Sequence, residues 1–322
     1  MSAERVMRVL GNLHLRPIVI LPLASLVFLL ILPFYVGTYI LHLMILIFLY
    51  AYLGQSWNIL SGYAGQLSLG HGTFFGIGAY TCALLMKKAS VPFPLAFAAA
   101  GALGGISALI IGFFCVRLTK VYFAMLTLAF SQIVWAMAFK WNSLTGGDNG
   151  LVGVPFPQSL DSKVLFYYFT LGVVAGSLFL LRKVVNSPFG RILTTIRENP
   201  ERTEFIGIHV KLFQLIAFMI SGVLAAIAGA LFGIFNHSVF PDILFWPASA
   251  EVLIMTLLGG IYNFFGPVVG AALLLFVRMQ VTSYTEHWPL ILGFTLALLL
   301  FFFPGGIMGF LHARFARPGG NR

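Results

Sequence analysis

The chain has 322 residues, 60% of them hydrophobic and only 9% charged, with a net charge of +10 and a mean hydropathy of +0.97. Soluble domains carry about a quarter charged residues, so this chain cannot cover a water-facing surface, and its excess of Lys and Arg falls between apolar runs, where it orients membrane spans rather than binding nucleic acid. A soluble enzyme is excluded, and the composition predicts an all-α polytopic membrane protein in which residues 1–322 form one transmembrane domain embedded in a lipid bilayer.

In chain order, Arg5, Arg8 and Arg16 precede an apolar stretch that is too long for a signal peptide and has no clear small-residue cleavage site, so it is read as a retained first span. Apolar runs place spans at about 17–36, 38–60, 66–86, 93–116, 121–139, 164–181, 212–235, 248–262, 265–283 and 288–303, giving about eight to ten transmembrane helices. Gly259-Gly260 and Gly266-Pro267 interrupt the run that holds the eighth and ninth, so either can be a half-helix. Segment 182–211 carries Arg182, Lys183, Arg191, Arg197, Arg202 and Lys211, which predicts a cytoplasmic loop. Threading from that anchor puts both termini inside, with Arg314, Arg317 and Arg322 in the tail, and Arg117 with Lys120 inside as well. Lys87 and Lys88 land outside, against the trend. Loop 140–163, with TGGDNGLVGVPFP at its centre, is predicted external and built of ordered turns. Cys82 and Cys115 lie in apolar runs without metal or disulfide spacing and read as packing residues.

Residues 61–81, SGYAGQLSLGHGTFFGIGAYT, hold six glycines. Neither the dinucleotide fingerprint nor the P-loop is present, because Gly76 comes one residue too late after Gly70 and Gly72, and no lysine follows. Ser68, Gly72 and Gly76 recur every four residues, the spacing of a small-residue stripe that lets helices approach in lipid, with Gly78 off the stripe and expected to tolerate Ala better. The glycines around 62–66 also predict a broken helix near the cytoplasmic end of the third span, tolerated only where protein or a water-filled path covers the freed backbone. Gln66, Ser68, His71, Gly72 and Gly76 are therefore candidates either for a translocation path or for helix packing. His71 fits a proton relay or a neutral imidazole bonded to a neighbouring helix.

Of the nine acidic residues, Glu4, Asp148, Asp161, Glu198, Glu201, Glu204, Asp242 and Glu286 fall in predicted loops or termini. Glu251 alone lies near a span, following Pro247 in the expected first turn of the eighth helix, where it serves either as an interfacial cap or in the path. Arg278, near the outer end of the ninth span, is expected to snorkel to headgroups. Such an interior suits a small solute of no net charge and a source of energy outside this chain; the alternative is an ion-coupled secondary amino-acid transporter using Glu251 and His71.

In NSPFGRILTTIRENPERTEFIGI (186–208), Ser187 is an expected N-cap with Pro188 at the first helical position. Phe189, Ile192, Leu193 and Ile196 form an apolar face, Pro200 interrupts the helix, and Gly207 can end the piece that follows. Two readings stand: a helix resting on headgroups, and a handle gripped by another subunit.

Six stretches give the chain a family resemblance: NILSGYAGQLSLGHGTFFGIGAY (58–80), VYFAMLTLAFSQI (121–133), TGGDNGLVGVP (145–155), GRILTTIRENPERTEFIGI (190–208), ASAEVLIMTLLGGIYNFFGPVVGAAL (248–273) and FFPGGIMGFL (302–311). In these the chain resembles the LivM-type permease subunit of ATP-binding-cassette importers for branched-chain amino acids. The resemblance implies a bacterial inner-membrane complex of this chain, a second homologous permease chain, two cytoplasmic ATPases and an external solute-binding protein. ATP and Mg would sit on the ATPases, with no cofactor, metal or catalytic residue in this chain. It implies that the loop of about 183–211 couples to the ATPase, with Phe189, Arg191, Arg197, Glu198, Glu204 and Gly207 as coupling residues. Pro200, Arg202 and Thr203 depart from the family pattern. The resemblance makes a branched-chain amino acid the expected solute, with urea, short amides and other small polar solutes, which the family also moves, as alternatives.

Overall fold

The computed structural model describes residues 27–157, 160–282, 290–291, 293–294 and 305–309. The N-terminal arginines, the start of the first expected span, most of 288–303 and the basic tail lie outside these residues.

Helix α1, Thr38–Asn58, continues through a π-helical turn, Ile59–Tyr63. After it come α2 His71–Lys87, α3 Phe93–Cys115, α4 Lys120–Lys140 and α5 Lys163–Asn186. The second half holds α6 Pro188–Glu198, α7 Pro200–Phe205, α8 Val210–Phe235, α9 Trp246–Gly259 and α10 Gly266–Thr282. Among the described residues, five helices are long and apolar enough to cross a membrane: α1 extended to Tyr63, α3, α4, α5 and α8. The expected third span, 66–86, begins only at His71, and the expected eighth, 248–262, is a helix of 14 residues.

Two short strands, β1 Leu151–Val152 and β2 Ser238–Val239, pair antiparallel with Leu151 opposite Val239. This ribbon ties the 140–163 loop to the turn after α8, and α8, about 39 Å long at 1.5 Å per residue, separates it from α6 and α7. The bundle thus has a ribbon face and a coupling face. Lys87 Nζ donates to the Val152 carbonyl at 2.5 Å, and Lys88 Nζ to the Ser143 and Leu144 carbonyls at 2.6 and 2.8 Å. The two lysines that break the charge pattern are thereby anchored on the ribbon-face loop, which accounts for their side.

The core forms where α2 and α3 pack on α8 through small residues. A Cβ at Gly78 would overlap the Ala226 carbonyl, one at Gly229 the Phe75 carbonyl, and one at Gly104 the Ala226 side chain. In lipid, close backbone approach replaces water exclusion as the source of cohesion. Phe218 fills the space beneath, with its ring edge-on to Phe74 at 5.3 Å and to Phe123 at 5.9 Å. Cys82 and Cys115 are buried free thiols within this packing, as expected.

Beyond β2 the chain turns back into the bundle. Ser131 Oγ, near the middle of α4, donates to the Leu244 carbonyl at 3.0 Å, and the Phe245 ring lies 4.8 Å from that of Trp135. Helix α9 starts only there, and its Ser249 Oγ accepts the Gly72 N–H at 2.8 Å. Helices α2 and α9 therefore begin side by side in mid-bundle. From that point α2 runs to the ribbon face, while α9 runs to the coupling face, where the Ile261 carbonyl would meet a Cβ on Gly62 at 2.5 Å.

Candidate translocation path and coupling segment

Residues 64–70 carry the broken backbone that the glycines predicted, and side chains complete its hydrogen bonds. Leu69 N–H donates to Thr127 Oγ1 at 3.2 Å and Gly70 N–H to Ser68 Oγ at 3.3 Å. The Ser68 carbonyl accepts from Trp57 Nε1 at 2.8 Å, and the Gln66 carbonyl from Ser61 Oγ at 2.8 Å. Such backbone persists away from water only where protein satisfies it in this way. Ser68 therefore lies on this segment and not on a helix, so the expected stripe reduces to Gly72 and Gly76. Those two face the returning chain: a Cβ on Gly72 would meet the Ile243 carbonyl at 2.9 Å, and one on Gly76 would overlap the Leu244 side chain. Gly78, expected to be the tolerant position, packs tighter still, against backbone of α8.

His71 opens α2 and is fully buried. Its Nε2 lies 3.1 Å from both Ser56 Oγ and Ser221 Oγ. Each hydroxyl has one proton and spends it on a carbonyl, Ser56 on Leu53 and Ser221 on Ser56, both at 2.6 Å. Both serines thus accept, which assigns the proton to Nε2 and leaves Nδ1 unprotonated. Nδ1 has no hydrogen-bond partner among the described residues. The ring is a neutral clamp joining α1, α2 and α8.

Below this clamp the last turns of α1 hold Gln55 and Asn58, both fully buried, with neither polar atom of either amide hydrogen-bonded among the described residues. Gln66 Oε1 is buried in the same state. Buried amides in native proteins are nearly always paired with protein or water, which makes this end of α1 a candidate lining of the path. Gln55 and Asn58 were not singled out in the sequence, because an isolated amide in an apolar run carries no periodic signal.

Glu251 sits in the second turn of α9 and pairs with Arg278 of α10, Oε1 to Nη1 at 2.8 Å. This corrects two expectations: Glu251 does not cap its helix, and Arg278 turns to a carboxylate rather than to headgroups. A cleft of about 540 Å³ opens toward the ribbon face and touches Arg278 of this pair, with Tyr39, His42, Leu46, Tyr50 and Phe232 among its other lining residues.

The six expected coupling residues divide by direction. Phe189 stacks on Phe213 of α8, with ring centroids 5.6 Å apart. Arg197 donates to the Gly62 carbonyl at 2.6 Å, and its guanidinium lies 4.9 Å from the centroid of the Tyr262 ring. These two hold the segment to its own bundle, together with Leu193 of the same apolar cluster, and Ile196 is buried as well. Arg191, Glu198, Glu204 and Gly207 are exposed. Ser187 stands at the cap position of α6, but its hydroxyl donates back to the Val184 carbonyl at 2.6 Å. The working cap is Asn199, whose Oδ1 accepts the Arg202 N–H at 3.0 Å and starts α7. Gly207 ends that piece with φ +86°, where a side chain is strained. Phe205 is 90% exposed and Ile206 71%, an apolar pair at the outermost point of the coupling face that the sequence reading did not mark.

Residues 39–303 match the family described as branched-chain amino acid transport system / permease component. The chain belongs to this family. Within it, the chain is 29% identical over 303 residues to the high-affinity branched-chain amino acid transport system permease protein LivM of Escherichia coli K12, covering 86% of this chain and 71% of that relative. The LivM protein of Salmonella typhimurium matches at the same identity and coverage. The LivH permease protein of Escherichia coli K12 is 24% identical over 286 residues, covering 81% of this chain and 91% of LivH. No solved structure matches. These relatives are transport permeases, and the chain is accordingly a multi-pass membrane permease of the branched-chain amino acid family.

Proposed function

We propose that this chain is one of two permease subunits of an inner-membrane importer for branched-chain amino acids, driven by ATP hydrolysed on separate cytoplasmic subunits. The observation that carries this reading is the two-sided α6–α7 segment. One side is fixed to the bundle through Phe189, Leu193, Ile196 and Arg197, and the other projects Glu204, Phe205 and Ile206. A helix merely resting on headgroups would turn its apolar face to lipid, but here that face is spent on the chain's own core, while α7 offers a separate apolar tip beside a carboxylate, the character of a surface that docks on protein. Arg197 joins the segment directly to the π-turn and the broken backbone at 64–70, so a push on α7 reaches the residues beside the unpaired amides. The similarity to both LivM and LivH supports a partner permease of related fold, and an external binding protein would deliver the solute to the ribbon face.

An ion-coupled carrier built on Glu251 and His71 is disfavoured, because Glu251 is neutralised by Arg278 and the His71 Nε2–H is held by two serines. Uptake of radiolabelled leucine by proteoliposomes holding the full complex separates the two readings. Uptake is expected to require ATP in the compartment bearing the ATPases and to survive an uncoupler; uptake that persists without ATP and collapses with the uncoupler would overturn the proposal.

A further inference from the structure

We propose that the coupling-face end of α5, together with the turn between α9 and α10, forms a headgroup site for an anionic phospholipid. The inference uses only the chain's place in a membrane and is independent of what drives transport. Helix α5 is a candidate membrane span whose apolar length lies mostly on the outside of this chain. In its second half Phe179 and Leu180 are 61% and 62% exposed, an apolar ridge that suits acyl chains. Arg182 and Lys183 follow near the end of the helix. Lys183 Nζ turns back over the Phe179 ring, 4.6 Å from its centroid, and the Arg182 guanidinium lies 5.7 Å from the centroid of Phe265 on the α9–α10 turn. Two cations are thus held against two exposed rings on adjoining elements, the combination that collects where a span meets the bilayer surface.

The charge pattern sets the class of lipid. No acidic residue lies between Asp161 and Glu198 or between Glu251 and Glu286, so both elements that build the site are free of carboxylates. Among the described residues the salt bridge is Arg278–Glu251, and neither Arg182 nor Lys183 takes part in one. Arg197, the cation beside them on the coupling face, is spent on the Gly62 carbonyl. Two cations without a counter-charge favour a headgroup of net negative charge: its phosphate accepts the guanidinium fork, and basic pockets between helices at a membrane surface select anionic lipid in this way. The ammonium group of a zwitterionic lipid would instead meet like charge. A phospholipid also presents its parts in the order found along α5, with chains at Phe179 and Leu180 and phosphate at Arg182 and Lys183.

The test places the purified complex in vesicles that hold photoactivatable phosphatidylglycerol or phosphatidylcholine with identical diazirine-bearing chains, and maps the adducts by mass spectrometry. Adducts on Phe179, Leu180 or Phe265 are expected to favour phosphatidylglycerol about twentyfold, from about fivefold for each basic residue near the surface. Equal labelling by the two lipids, or no lipid adduct at these residues, would overturn the site. Excess glycerol phosphate is expected to leave the adducts in place; their loss would make this a site for soluble anions and overturn the lipid. Arg182→Gln combined with Lys183→Gln is expected to bring the two lipids to near-equal labelling at the same residues. A preference for phosphatidylglycerol unchanged in that variant would overturn the assignment to these two cations.

Discussion

Gly72 and Gly78 differ by less than two helical turns yet meet different neighbours, and each neighbour is one that cannot easily move. A Cβ on Gly72 would meet the Ile243 carbonyl and Ser249 Oγ at 2.9 and 3.1 Å, and one on Gly78 would overlap the Ala226 carbonyl. Overpacking a tight interior costs about 1–3 kcal/mol, so Gly72→Leu and Gly78→Ala are both expected to lower the melting temperature of the solubilised complex. Gly176→Ala, where nothing lies within 4 Å, is the control and is expected to melt like the parent; equal melting of all three would show that the close contacts carry no stability. Arg197→Ala is expected to cost about 1.5–3 kcal/mol through its charged hydrogen bond to Gly62, read as faster proteolysis within α6–α7. At this scale the sequence was only partly legible. A small residue every four positions is informative only where the helix exists, and the helix starts at His71, which removes Ser68 from the stripe. Gly78 packs tightly for a reason located on α8, far away in the chain.

The amphipathic period of α6 was readable because its apolar face is local, and that face packs as its spacing implied. Its direction was not readable: only the fold shows that Phe189 and Arg197 turn to the bundle while Phe205 and Ile206 turn away. The half-helix α9 was left open by the glycine and proline breaks around it, and the return of residues 241–245 into the bundle resolves it, because that return depends on Ser131 and Trp135 of α4. On the coupling reading, Phe205→Glu should weaken capture of the ATPase about tenfold or more, the equivalent of losing the burial of one Phe at about 1.5–3 kcal/mol. Pull-down at graded salt checks this, and unchanged capture would remove the apolar tip from the docking surface. Asn199→Ala should fray α7 at a cost of about 1 kcal/mol, visible as faster amide exchange at Arg202 and Thr203.

For the whole molecule, composition was enough to give the class, since a bilayer restricts a chain to few architectures. Single cysteines at Thr194 and Asn149, in a background lacking Cys82 and Cys115, are expected to label from opposite sides of the membrane. Labelling of both by an impermeant reagent applied from one side would undo the assignment of α6–α7 and the 140–163 loop to opposite faces. On the coupling reading, force enters this chain through α7. The most direct test is to purify the complex with Glu204→Arg and assay both retained ATPase and ATP-driven leucine uptake. A misplaced charge in a protein cleft costs up to several kcal/mol, roughly a hundredfold or more in affinity. The expected result is an inserted, folded permease that loses its ATPase and its uptake; full retention of the ATPase with uptake at the parental rate would rule out entry through α7.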